Sequence, residues 1–240
     1  MHVILSDLGD DGVALIQWAM NQKLENIHVI YINTNWQSQA WLTRIKAVKT
    51  WCISNKVHFN QLEPQADFSR QVIEHNHFPS IKFQWCAGLI KGTAILDWLD
   101  GADEDEEAII LLPNRKLMCT AQSVLEEHIA ENEYFNDRAT WYPLINYDLY
   151  ARNQLIKQTP FQILSKPAQS CSPCIYNKSH QLQEIDNNSV TRLDKLENKI
   201  RQPMYTEAIK IEIENNKNPD ISNYYQAYST GCGWNYGCGL

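Results

Sequence analysis

A run of three aliphatic residues, Val3-Ile4-Leu5, leads directly into Ser6-Asp7-Leu8-Gly9-Asp10-Asp11-Gly12 and then into Asp11 to Asn21, a stretch apolar on most faces through Val13, Leu15, Ile16, Trp18 and Met20. A short buried strand, a glycine-bearing loop and a helix in that order leave few folds open. A second strand is expected over Ile27 to Thr34. It is followed by an amphipathic helix whose Trp41, Ile45, Val48 and Cys52 fall at i, i+4, i+7 and i+11. Strands separated by helices, with no two-residue turn between them, run parallel and are joined by right-handed crossovers. The pattern predicts an α/β fold: an open parallel sheet flanked by helices.

The remaining elements extend that reading. Cys86 to Leu99 is expected as a helix, Glu107 to Leu112 as a buried strand, Lys116 to Glu131 as an amphipathic helix, and Thr140 to Ile145 as a further strand. Asp148 to Lys157 reads as a helix with an acid at its start, where a negative charge suits the dipole. Past residue 180 the composition turns to Asn, Gln and mixed charge, with helical patterning over Ser189–Arg201 and Met204–Asn216. The division expected is an α/β domain over 1–176 and a helical appendage over 177–240. That appendage ends in the glycine-rich tail Gly231 to Leu240, which cannot build a core alone.

Charge narrows the classes of partner. The chain of 240 residues carries a formal charge of −7, and six acids sit in one stretch: Asp100, Asp103, Glu104, Asp105, Glu106 and Glu107. Like charges packed so densely read as a solvated loop. A basic footprint over the whole chain is missing, yet residues 150–217 hold ten Lys or Arg against seven Asp or Glu, which leaves local nucleic-acid contact open. The longest aliphatic run, Ala108 to Leu112, falls far short of the ~20 residues of a membrane helix. No secretory signal is visible, so the expected location is cytoplasmic, away from any membrane.

The loop at 6–12 stands where open α/β sheets bind phosphate, because backbone amides and the helix dipole both face an anion there. Four later segments follow in order: Asn33-Thr34-Asn35-Trp36, Gln84-Trp85-Cys86 with Lys91, Leu112-Pro113-Asn114-Arg115, and Tyr142-Pro143-Leu144-Ile145-Asn146-Tyr147-Asp148-Leu149. Together with Cys171-Ser-Pro-Cys174 they resemble the phosphoadenosine-phosphosulfate reductase family, within the adenine-nucleotide alpha-hydrolases that carry a pyrophosphate-binding loop. The likeness spans about residues 1–176.

The family's loop reads Ser-Gly-Gly-Lys-Asp-Ser. Ser6, Gly9 and Asp11 match it, Asp10 replaces the lysine, and Gly12 replaces the final serine. A cation-to-carboxylate change beside a polyanion is large, since one pair at ~4 Å is worth about 4 kcal/mol at a surface-like dielectric. A divalent ion bridging Asp10 or Asp11 to the phosphates would reverse its sign. The resemblance implies ATP or a related adenine nucleotide with magnesium as ligand, held by Ser6, Gly9, Asp10, Gly12, Thr34 and Trp36. Asp11, Lys91 and Arg115 are the implied reacting-site residues. The implied chemistry is cleavage at the alpha phosphate to adenylate an acceptor, a nucleic acid or a protein, for sulfur or nitrogen transfer. The strict reductase's Glu-Cys-Gly-(Ile/Leu)-His end is absent, because this chain closes Gly237-Cys238-Gly239-Leu240. The contrasting reading is a nucleotide-binding or protein-interaction module that has lost catalysis and is braced by zinc.

Of the seven cysteines, Cys171, Cys174, Cys232 and Cys238 form two late pairs that predict a tetrahedral thiolate site. It would take zinc at ~2.3 Å or a four-iron iron–sulfur cluster. Cys86 with Cys171 and Cys174 is the rival ligand set. Cys52, on an apolar helix face, reads as a small core residue. Asp7, Asp10 and Asp11 can equally act as helix caps, and Trp36 and Trp41 as core contacts.

Overall fold

A computed structural model describes residues 1–80, 83–115, 126–166, 168–177, 182 and 185–205. Among these residues six strands form one sheet: β1 (His2–Leu5), β2 (Ile27–Ile32), β3 (His58–Leu62), β4 (Ile109–Leu111), β5 (His128–Asn132) and β6 (Arg138–Trp141). Their order is β3-β2-β1-β4-β6-β5. All neighbouring pairs are parallel except β5 with β6. The chain winds outward from β1 through β2 to β3 and then returns to the other side of β1 with β4. The reversal between β1 and β4 opens a crevice at the carboxyl ends of those strands, the usual ligand position in such sheets.

The strands' period of two sorts the core into layers. Ile4, Val29, Tyr31 and Leu111 face α1 (Asp10–Asn21), α2 (Gln39–Ser54) and α5 (Leu149–Ile156). Val3, Leu5, Ile30, Ile110 and Leu112 face the opposite side, covered by α4 (Thr93–Ala102) with Phe135 and Tyr142. A third cluster lies apart from these two. Trp36, Phe68, Val72, Phe78, Trp85 and Ile90 meet Leu196 and Ile200 there. It joins α3 (Phe68–His75), the π-helical turn Ala87–Gly92 and α6 (Asn187–Ile200). The expected carboxyl-terminal helix is thus present as α6, capped by Asp186 accepting from the Ser189 amide, and it packs on α3.

Three expectations need correction. His128–Asn132, the end of the stretch expected as a helix over 116–131, is an edge strand paired antiparallel with β6; residues 116–125 lie outside the described residues. Tyr142 to Ile145, expected as strand, is a buried turn after β6. The acid run is solvated except at Asp103. That carboxylate accepts from Arg138 Nε at 2.7 Å, and the Arg138 side chain is only 1% exposed, so the arginine needs this partner to be tolerated in the core.

Edge strand β3 and helix α3 are absent from the sequence reading. His58-Phe-Asn-Gln-Leu62 carries too little apolar alternation to be read as a strand, and the pairing with β2 supplies what the pattern lacks. Among the described residues no helix is long and apolar enough to cross a membrane.

Candidate functional site

The loop leaving β1 is folded by its own side chains. Ser6 Oγ accepts from the Leu8 amide at 2.9 Å, and Asp7 Oδ1 accepts from the Gly9 amide at 2.8 Å. These two turns hold Leu8 at φ 67°, a left-handed conformation uncommon for a branched residue. Trp41 Nε1 and Arg44 Nε, both on α2, donate to the carbonyls of Asp7 and Leu8 at 3.1 and 2.7 Å. Gly12 then brings the first turn of α1 against the strand end. A Cβ there would stand 2.0 Å from Ser6 Oγ, so any larger residue must displace the hydroxyl that accepts the Leu8 amide or push the helix away. Gly9 is tight as well: its Cβ would lie 3.0 Å from Asp7 Oδ1 and 3.1 Å from the Ala168 side chain.

Around this helix start, carboxylates and guanidiniums alternate. Asp10 accepts the Leu164 amide at 3.2 Å on both oxygens and pairs with Arg152 at 3.1 Å and Arg44 at 3.7 Å. Asp11 pairs with Arg115 at 2.9 Å and Arg152 at 3.5 Å. Burial pushes the Asp10 carboxyl above its ordinary range, opposed by the Leu164 amide and then by Arg152 and Arg44. The charge reversal at position 10 is therefore compensated inside the protein: arginines from α2 and α5 supply what the loop lysine would have brought. Asp10 sits as a latch between α1, α2, α5 and the 161–168 segment, and not as an open oxygen ligand. Arg115, expected at the rim of the site, is turned onto Asp11.

Between the ends of β1 and β2 lies a polar crevice of ≈ 10 Å³ lined by Ser6, Asp7, Tyr31, Lys91 and Ser170 among others. That is room for about one water molecule. Lys91 reaches it from the π-helical turn and is 7% exposed. Asp7 Oδ2 and the Tyr31 hydroxyl are buried there with no hydrogen-bond partner among the described residues. Burial raises the Asp7 pKa, with the Gly9 amide and then Lys91 working against it; burial also raises that of Tyr31. Asp7, Tyr31, Arg44 and Arg152 were not among the predicted site residues. Asp7 stands in the loop where it can act as a cap, Tyr31 lies within the strand with no motif around it, and the two arginines sit in helices with no local motif.

The segment after β2 is joined to the Cys-Ser-Pro-Cys loop. Thr34 Oγ1 donates to the Ser170 carbonyl at 3.1 Å and lies 3.7 Å from Cys171 Sγ. The Ser172 amide donates to the Trp36 carbonyl at 2.7 Å, and Trp36 Nε1 to the Pro173 carbonyl at 2.8 Å. Arg192 of α6 covers the Trp36 ring at 4.1 Å and donates to the carbonyls of Asn35, Trp36, Gln37 and Ser172. Phe68 packs on the same indole at 4.7 Å. Trp36 is fully buried, so its indole is a structural keystone here and offers no open face to a base.

Cys171 and Cys174 are half-buried thiols. Cys86 and Cys171 both pack on the third cluster, yet no group of three His, Cys, Asp or Glu among the described residues is close enough to hold a metal. The rival Cys86 set is thus not assembled, while Cys232 and Cys238 of the four-cysteine set lie outside the described residues. Cys52 is fully buried on α2 as a core residue.

No family model matches the sequence, and no curated protein matches it. Solved structures do. The phosphoadenylyl-sulfate reductase of Candida auris, determined as a phosphate complex, aligns over 68% of this chain and 74% of its own, at 15% identity and a TM-score of 0.47. The U34-tRNA thiolase NcsA of Methanococcus maripaludis, determined with its 4Fe-4S cluster, aligns over 92% of this chain and 74% of its own, at 13% identity and a TM-score of 0.48. A phosphoadenylyl-sulfate reductase, the family named from the motifs, is therefore among the structures this chain is similar to.

Proposed function

We propose that the chain binds an adenine nucleotide by its phosphates at the β1 loop and cleaves it at the alpha phosphate, adenylating an acceptor for sulfur or nitrogen transfer. The observation that supports this best is the seat itself. At the reversal between β1 and β4, a helix start is drawn against the strand end by the Gly12–Ser6 approach, with Arg44, Arg115 and Arg152 gathered around it and Lys91 in the adjoining crevice. Such a start favours anions.

In this reading the aspartates keep the guanidiniums in place until phosphate arrives. Arg115 exchanges Asp11 for a phosphate oxygen, and Lys91 carries charge on the β2 side. Ser6, Gly9, Gly12 and the first amides of α1 orient the polyphosphate, and preorganised donors of this kind stabilise charge that develops as a phosphoanhydride breaks. Thr34 stands at the adenosine side, while Trp36 and Asp10 hold the walls of the site. The carboxylate donor of Asp11 suits magnesium, which would arrive with the nucleotide and neutralise the departing pyrophosphate. Cys171, 3.7 Å from the Thr34 hydroxyl, and Cys174 would supply two thiolates of a site completed by Cys232 and Cys238 for zinc or a four-iron cluster.

A second reading has one specific observation in its favour: the arginines are already paired with Asp10 and Asp11, as they would be in a binding module without turnover. Pyrophosphate release from ATP with magnesium separates the two. The enzyme releases it and loses at least tenfold of the rate in Asp11→Ala, whereas a module releases none in either form.

A further inference from the structure

The loop and crevice do not use a second cavity on the far side of the third cluster. A groove of ≈ 390 Å³ runs between α3 and α6, lined by Ser69, Asn188, Thr191, Arg192, Lys195 and Lys199 with Leu196 at its floor. Among the described residues, the charged ones that line it are all cations, although the whole chain carries −7. Asp194 and Glu197 share the helix but do not line the groove, and Glu197 instead accepts the Met204 amide at 2.7 Å.

Arg192, Lys195 and Lys199 fall at i, i+3 and i+7 and so line one face of α6, spread along about 10 Å of helix axis. A single phosphate is best held by cations that converge on a point. Cations strung along a helix, with a hydroxyl or amide at each turn (Asn188, Thr191, and Ser69 opposite), fit a chain of phosphates. Arg192 has its Nε buried without a partner among the described residues. Its other nitrogens tie the groove to the Trp36 carbonyl at 3.1 Å and the Ser172 carbonyl at 2.7 Å. A ligand in the groove is thereby one side chain away from the Cys171–Cys174 loop.

We propose that the α3–α6 groove binds the sugar–phosphate backbone of a single-stranded nucleic acid, with Lys195 and Lys199 neutralising successive phosphates and Arg192 fixing the end next to the cysteine loop. The role of that strand as the acceptor rests on the function proposed above. The binding itself does not.

The test is fluorescence anisotropy of the full-length protein with a fluorescein-labelled oligouridylate, without nucleotide, over a series of salt concentrations. Single strands lose affinity with a log–log slope of about −0.7 per neutralised phosphate, so a slope near −2 is expected for three cations. Lys195→Ala with Lys199→Ala should weaken binding about tenfold at low salt and flatten the slope by about 1.4. The paired substitution Lys46→Ala with Lys49→Ala, at exposed lysines of α2, should change neither. Equal affinity and slope in the groove variant and the parent would overturn the proposal. So would competition by poly-glutamate or by free pyrophosphate at the same phosphate-equivalent concentration as unlabelled oligouridylate, since the site would then recognise charge alone. Calorimetry of ATP on the groove variant is expected to match the parent, so failure of nucleotide binding and failure of the groove are read separately.

Discussion

The protein's two loops at the carboxyl ends of β1 and β2 are neighbours built on opposite principles. The β1 loop is held by ion pairs: Asp10 and Asp11 share Arg44, Arg115 and Arg152. The β2 loop is held by a buried indole, one guanidinium stacked on it, and backbone hydrogen bonds to the cysteine segment. Ion pairs can exchange one anion for another with little rearrangement, whereas a buried tryptophan cannot turn outward without dismantling its cluster. The comparison assigns ligand exchange to the first loop and positioning to the second.

Breaking the first loop should have the largest effect. Asp10→Ala leaves Arg44 without its carboxylate and Arg152 with Asp11 alone, 3.5 Å away, at side-chain exposures near a tenth, and breaking a buried pair of this kind costs about 3–5 kcal/mol. Urea denaturation should show that loss, and Asp10→Asn should recover only a part of it. Gly12→Ala comes next. Its methyl group must displace the Ser6 hydroxyl or push α1 off the strand, an overpacking cost of about 1–3 kcal/mol, and calorimetry should find ATP binding abolished even where the variant remains folded.

Breaking the second loop should divide stability from binding. Arg192→Ala removes the stacked cation and the donors to four carbonyls, which is expected to cost about 2 kcal/mol. Thiol-reagent kinetics should show Cys171 and Cys174 reacting several-fold faster, while the affinity for ATP stays within about twofold. An unchanged thiol rate would mean that the cysteine segment does not depend on this stitching.

The smallest effect sharpens the picture of the crevice. Burial raises the Asp7 pKa from its ordinary 3.8, so the folded state binds that proton more tightly than the unfolded chain. The stability this contributes is full below the unfolded pKa and is lost as pH rises through the folded one. Asp7→Asn keeps an oxygen for the Gly9 amide and removes the buried charge. Its melting temperature should exceed the parent's at neutral pH, and the difference should disappear below about pH 4.

Much of this was legible in the chain because periodicity and loop chemistry are local. Val3-Ile4-Leu5, the helix at 11–21, the heptad-like spacing of Trp41, Ile45, Val48 and Cys52, and the capped helix near 189–201 all carry their own signal. What the chain did not show depends on distant partners. Edge strand β3 carried no strand pattern of its own and β5 fell in a stretch with helical periodicity, because pairing supplies what their patterns lack. Asp103 looked solvated because Arg138 lies 35 positions away. The pairing of Asp10 was hidden for the same reason, since Arg44 and Arg152 reach it from α2 and α5. Trp36 left two readings open, a nucleotide contact or a core contact, and only the packing of Arg192 and Phe68 on its faces decides for the second.

The central claim is that the altered loop still seats a polyphosphate by exchanging carboxylate for phosphate on its arginines. Calorimetric titration of the metal-replete protein with ATP and magnesium tests it most directly. Micromolar binding that disappears in Gly12→Ala and weakens at least tenfold in Arg115→Ala is the predicted result. No heat at millimolar ATP, or binding indifferent to both substitutions, would contradict it.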